Sequence, residues 1–151
     1  MNRNKKFLIL VLTVLFASFA SAQTNFNFKK DHDALLVKDL GRAANFYNDI
    51  LGLKEIPNGG LGDHIKWFQL KDGVQVHLIE SQDNISMHKG VHMAININKL
   101  ADFIEFLKSR DVPFENWPGE KGTTNSRPDN VKQIYLQDPD GYWIEINDGK
   151  I

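Results

Sequence analysis

The sequence predicts an α+β fold, with two repeated βαβββ modules whose curved mixed sheets surround a central metal-binding cleft. Self-similarity is the first observation behind this: moving the chain sixty residues along lays His32 on His92, Ala34 on Ala94, Leu40 on Leu100 and Phe46 on Phe106. Later, Lys66 to Leu70 resembles Lys132 to Leu136. The second is a shared order of hydrophobic periods, strand, helix and then three strands in each half. One such unit cannot bury its helix-facing side alone, so a duplication is the economical reading. The third is alternation: in four strands an apolar face opposes a face that carries His or Glu.

Residues 1–22 precede the fold. Arg3, Lys5 and Lys6 form a positive start, Phe7 to Phe16 a short apolar run, and Ala20-Ser21-Ala22 a cleavage site of the A-x-A kind. That is the pattern of a secretory signal peptide, so the mature chain is expected to be secreted or periplasmic. Residues 23–30 are polar and read as a loose lead-in to one domain spanning 31–151, with module one at 31–80 and module two at 91–148. There is no cysteine, which removes disulfides, thiol nucleophiles and thiolate ligands from consideration. Once the leader's basic residues are gone, the 19 acidic residues outnumber the remaining basic ones, and no basic patch is interleaved with aromatics. Nucleic acid and, after cleavage, membrane surfaces are therefore excluded as expected partners.

In module one, Asp31 to Val37 reads as a strand, and Asp39 is placed to cap a helix whose apolar positions are Leu40, Ala43, Ala44, Phe46, Tyr47, Ile50 and Leu51. Gly52 ends it. A short strand at Leu53 to Ile56 follows, then Ile65 to Leu70 and Val74 to Glu80 joined by the tight turn Lys71-Asp72-Gly73. In module two, His92 to Ile97 is the strand, Asn98 the expected cap, and Leu100, Phe103, Ile104 and Leu107 the buried stripe of a helix stopped by Arg110, Asp111 and Pro113. Asp138-Pro139-Asp140-Gly141 is a turn before the last strand, where Ile144 and Ile146 oppose Glu145.

The alternation sorts the chemistry. His32, His77, His92 and Glu145 all fall on the face away from the helices, on the first and last strands of each half. If the halves pair about a pseudo-twofold axis, the four converge. Three imidazoles and a carboxylate suit a divalent metal, Zn, Ni, Fe, Mn or Co. The sequence leaves open whether that pairing occurs within one chain or across two. By the same alternation Trp67, Gln69, Gln133, Tyr135 and Trp143 line the cleft as substrate-binding walls. Arg127 is a candidate to fork onto a substrate carboxylate or phosphate. His64 and His88 read as surface residues, and Gly59 to His64 as a possible lid.

The stretches His32 to Leu40, Phe46-Tyr47, Ile50-Leu51-Gly52, Val76-His77-Leu78, His92 to Ala94 and Asp138 to Glu145 resemble the vicinal oxygen chelate superfamily. That superfamily groups glyoxalases, fosfomycin- and bleomycin-resistance proteins, methylmalonyl-CoA epimerases and extradiol dioxygenases. The resemblance spans Asp31 to Asp148 and implies a homodimer acting on a small molecule. It puts His32, His92 and Glu145 on the family's usual metal positions, and His77 where metal-dependent lactoylglutathione lyases carry a glutamate. The leading expectation is a lyase or isomerase with Glu145 and His77 as catalytic groups. If His77 does not ligate, two histidines and a carboxylate remain, the set of non-haem Fe(II) dioxygenases. A non-catalytic binding protein of the resistance type is the third reading.

Overall fold

The computed structural model describes residues 26–150; the proposed leader lies outside them. Residues 26–31 are exposed and irregular. Module one contains β1 (His32–Val37), α1 (Leu40–Asn45), β2 (Lys54–Ile56), β3 (Ile65–Gln69) and β4 (Gln75–Glu80). Module two contains β5 (His92–Asn96), α2 (Leu100–Ser109), β6 (Asn125–Ser126), β7 (Lys132–Gln137) and β8 (Trp143–Asn147). Each module makes its own four-stranded mixed sheet, ordered β1-β4-β3-β2 and β5-β8-β7-β6. In both, the first and last strands pair in parallel. The expected order of elements and the duplication hold.

The helix-facing sides of both sheets share one core. Val37, Phe68, Val76 and Leu78 from the first sheet, Ile134, Leu136, Ile144 and Ile146 from the second, and Leu40, Ala43, Leu100 and Leu107 from the helices are all buried in it. Side chains alternate along a strand, so this core sends the neighbours of each residue to the opposite face.

The helix ends differ between modules. Asp39 caps α1 as expected, its Oδ1 accepting the Arg42 N–H at 2.9 Å. The helix then widens into a π-helical turn over Phe46–Ile50 before Gly52, at φ +66°, ends it. In module two the cap falls on Lys99, which has no side-chain acceptor, and α2 starts without a side-chain cap; Asn98 comes one residue too early.

The two β-hairpins facing the core repeat each other bond for bond. Gln69 Nε2 donates to the Gly73 carbonyl at 3.2 Å, and Gln137 Nε2 donates to the Gly141 carbonyl at 2.9 Å. Gly73 and Gly141 take φ +96° and +91°, which an L side chain rarely adopts. Trp67 is therefore the counterpart of Tyr135, and Lys66 of Ile134, two residues further along than the sequence likeness to Lys132 suggested. A slip of two keeps every side chain on its own face.

Of the two hairpins, only the second makes hydrogen bonds to the other module among the described residues. The Leu36 N–H donates to the Tyr142 hydroxyl at 2.9 Å and the Lys38 N–H to Asp140 Oδ1 at 2.9 Å, both on the open edge of β1. The Tyr47 hydroxyl donates to buried Asp138 Oδ2 at 3.1 Å. Burial, then Asp138, holds the Tyr47 phenol well above its usual range. Burial likewise raises the Asp138 carboxyl, opposed by the N–H groups of Tyr142 and Asp140 that point at it.

Candidate metal centre

The face of each sheet turned away from the core is a grid of rows, one residue per strand. In module one the central row is Ala34, His77, Trp67 and Ile56. In module two it is Ala94, Glu145, Tyr135 and Glu115. His77 and Glu145 thus occupy equivalent places, as do Trp67 and Tyr135. His32 and His92 stand two residues before the alanines on the same faces.

Glu145 is 5% exposed and is held from two sides. Its Oε2 accepts the Tyr135 hydroxyl at 2.5 Å and stands 3.3 Å from His92 Nε2. Its Oε1 accepts from Asn147 Nδ2 at 2.8 Å and Arg127 Nη1 at 3.3 Å. These donors divide the carboxyl oxygens between two tasks. The Tyr135 phenol is pushed up by burial and by the bond to Glu145. Arg127 is further anchored to Asp129 by Nε at 3.2 Å and Nη2 at 2.7 Å.

His92 Nδ1 donates to the Lys89 carbonyl at 2.8 Å, which fixes the tautomer and turns the Nε2 lone pair toward Glu145. With the ring neutral, Nε2 and Oε2 are two acceptors facing each other. A cation between them satisfies both, and a backbone carbonyl behind the ring is the usual support of a metal-binding histidine. These two residues fit a divalent metal.

Module one presents rings instead. His77 stacks on Trp67 with centroids 4.1 Å apart and planes 5° apart, and on His32 at 4.1 Å and 13°. His77 Nε2 donates to Gln75 Oε1 at 2.8 Å and His32 Nδ1 to Asp31 Oδ2 at 2.6 Å. Their remaining nitrogens lie in nearly parallel planes. An imidazole binds a metal in its ring plane at about 2.0–2.1 Å, and stacked planes share no such point. In this arrangement His32 and His77 do not hold one ion together. Burial, then His32, lowers the His77 pKa, which keeps that ring neutral.

The expected four-residue convergence is therefore not seen within the chain. The residues form two pairs, His32 with His77 and His92 with Glu145, and among the described residues no group of three or more His, Asp or Glu side chains gathers around a point. Of the other expected wall residues, Trp67, Tyr135 and Trp143 lie at the pairs, and Gln133 lies one row beyond Glu145. Gln69 instead braces its hairpin. Arg127, expected to grip substrate, is committed to Glu145 and Asp129. His64 and His88 are exposed, as expected.

The sequence reading missed three contributors. Lys89 supplies the carbonyl behind His92, while its ammonium bonds Glu115 at 2.7 Å and sits 4.9 Å from the Tyr135 ring centre and 5.0 Å from that of Trp143. It lies in an irregular connector, where no period betrays it. Asn147 and Asn96 were findable, being two and four residues along the strands from Glu145 and His92. Together with Gln133 and Asn125 they form a row of carboxamides across module two. The equivalent row of module one, Leu36, Ile79 and Ile65, is apolar.

A family model described as the Glyoxalase/Bleomycin resistance protein/Dioxygenase superfamily matches residues 29–146. The protein YwbC of Bacillus subtilis (strain 168) is 25% identical over 123 residues, covering 77% of this chain and 94% of YwbC. A solved glyoxalase family protein from Bacillus anthracis shares 25% identity with a TM-score of 0.67, over 84% of this chain and 99% of its own. Oxidase ChaP-H2 superposes with a TM-score of 0.69 at 20% identity, over 82% of this chain and 95% of its own, a likeness of fold.

Proposed function

Since the chain belongs to the Glyoxalase/Bleomycin resistance protein/Dioxygenase superfamily, we propose that it is a metal-dependent enzyme acting on a small substrate chelated through two vicinal oxygens. The ligands in this reading are His32 of one subunit with His92 and Glu145 of the partner subunit, in a homodimer that holds two such sites. The observation that carries it is the approach of His92 Nε2 to Glu145 Oε2 at 3.3 Å, each braced from behind. Two half-sites on separate sheets, with exposed Val91 and Trp117 beside the second, favour completion by another copy.

A bound divalent ion would supply Lewis acidity toward the chelating oxygens. The chain's own residues do the rest. The Lys89 carbonyl orients the His92 ring, and Tyr135, Asn147 and Arg127 hold the Glu145 carboxyl in one orientation, the support that a metal ligand needs. His77 is the neutral imidazole left free at Nδ1, and it is the group assigned to move a proton beside a carbonyl, as a lyase or isomerase requires. On the strength of residues 1–22 the mature enzyme is assigned to the periplasm or the exterior, which cell fractionation tests.

Metal content of the mature protein tests this directly. About one ion per chain is expected, lost in His92→Ala and Glu145→Ala and kept in His77→Phe. Loss in His77→Phe would restore the four-ligand set, and no metal in any preparation would turn the reading to a binding protein. One observation favours a second chemistry: with His77 stacked aside, the two-histidine, one-carboxylate set is that of Fe(II) oxygenases. Oxygen uptake by the Fe(II)-loaded enzyme with a catechol would decide for it, and turnover of an α-hydroxy carbonyl compound without oxygen would decide against it.

A further inference from the structure

We infer that Lys89 is a positioning residue of this centre: its ammonium, locked among three rings and three oxygens, sets where His92 stands relative to Glu145. This deepens the metal reading above and rests on it for the consequence to an ion. Lys89 lies three residues before His92, in the irregular connector between the modules, with a side chain 17% exposed. It touches the centre at both ends. Its carbonyl accepts the His92 Nδ1–H at 2.8 Å. Its Nζ reaches the segment that pairs with Tyr135, the residue whose hydroxyl holds Glu145.

The head group is fully committed. An ammonium has three N–H donors, and Lys89 Nζ finds three acceptors: Glu115 Oε1 at 2.7 Å, the Asn116 carbonyl, and the Trp117 carbonyl at 3.1 Å. Around it stand the rings of Tyr135, Trp143 and Trp117, with centres 4.9, 5.0 and 5.9 Å away, within reach of cation–π attraction. Glu115 is held in turn, since its N–H donates to the Tyr135 carbonyl at 2.8 Å and its carbonyl accepts the Tyr135 N–H at 2.7 Å. The turn that carries the Lys89 carbonyl is braced as well. The Val91 N–H donates to the His88 carbonyl at 2.8 Å and the Gly90 N–H to His88 Nδ1 at 3.0 Å. One ammonium thus ties the support of His92 to the support of Glu145, and the 3.3 Å between Nε2 and Oε2 follows from both.

Module one shows the same place without a clamp. Sixty residues earlier the counterpart of Lys89 is Lys29, exposed in the lead-in. There His32 turns its Nδ1 to the exposed side chain of Asp31 rather than to a carbonyl. A lysine suits the clamp of module two better than an arginine. Three acceptors converge on one compact charge, whereas a guanidinium spreads five donors over a plane.

Lys89→Met keeps the length of the side chain and the backbone carbonyl and removes only the ammonium. In the metal-free mature protein the His92 Nδ1–H should give a signal protected from solvent exchange, and Lys89→Met should speed that exchange at least about tenfold. Metal affinity, read by competition with a chelator, should fall about 10–100-fold. Lys89→Arg, which restores a cation over the rings, should recover part of both. Glu115→Gln, which keeps an acceptor and loses the charge, should shift both in the same direction by less. Lys66→Met, which removes an exposed ion pair with Glu55 in module one, should change neither. A Lys89→Met protein that is less stable in urea yet keeps the protected His92 signal and the metal affinity would make Lys89 a clamp of the fold alone and overturn the inference. Should that variant not fold, Glu115→Gln decides, and an unchanged His92 signal there overturns it too. If the unaltered protein binds no metal, the metal reading fails, while exchange of the His92 proton still decides for or against Lys89.

Discussion

Module one and module two share a frame and differ in what they write on it. The registers, the glutamine-braced hairpins and the parallel pairing of first and last strands are the same in both. On the site face, module one carries stacked rings, an apolar row and a half-exposed histidine. Module two carries a buried carboxylate with donors on both oxygens and a row of carboxamides. The difference shows where a duplicated fold can diverge. The core face is shared by both halves and tolerates little, whereas the opposite face can be rewritten in steps of two residues without moving the backbone. One half carries a preorganised carboxyl, the other a wall of stacked rings.

The comparison breaks most readily at the equivalent positions Tyr135 and Trp67. Tyr135→Phe removes the hydroxyl that holds Glu145 Oε2 and should weaken metal binding by about 10–100-fold, measured by competition with a chelator. Trp67→Phe, its counterpart, should leave metal affinity unchanged. Equal losses in both would mean that module one braces the ion as well.

A smaller effect separates the hairpins. Asp138 occupies the place that Leu70 holds in module one, and only Asp138 reaches the other module. Asp138→Leu should cost about 2–3 kcal/mol in urea unfolding, because it strands the buried Tyr47 hydroxyl and frees two backbone N–H groups. Tyr47→Phe, which removes the hydroxyl itself and leaves those N–H bonds to Asp138 in place, should cost less. The smallest effects should be matched: Gln69→Ala and Gln137→Ala each remove one exposed side-chain bond and should each cost about 0.5 kcal/mol. A markedly larger loss at one would show that the hairpins are not interchangeable.

Much of this was legible in the sequence because strands have a period of two. His77 and Glu145 could be assigned to one face from Val76, Leu78, Ile144 and Ile146, and His32 and His92 from Leu35, Val37, Met93 and Ile95, and the two-residue slip in aligning Lys66 with Lys132 did no harm to that assignment. Convergence was not legible. Which faces meet depends on how the sheets are docked, and that is set by Tyr47, Asp138, Asp140 and Tyr142. Nor could the alternation tell a ligand from a wall: His77 lies on the predicted face, but its ring orientation comes from the stack with Trp67 and the bond to Gln75. The carbonyl of Lys89 lies in a connector without periodicity, where a backbone contact leaves no residue-type signal.

The claim most exposed to test is that one site draws on both subunits. His32→Ala and Glu145→Ala chains should each be inactive and metal-poor. Unfolded together and refolded as a mixture, they should recover both metal and activity, because a mixed dimer assembles one site from two intact half-sites. Equal mixing gives about one intact site in four. Recovery near that level supports the shared site, and no recovery from a mixture shown to contain mixed dimers would contradict it.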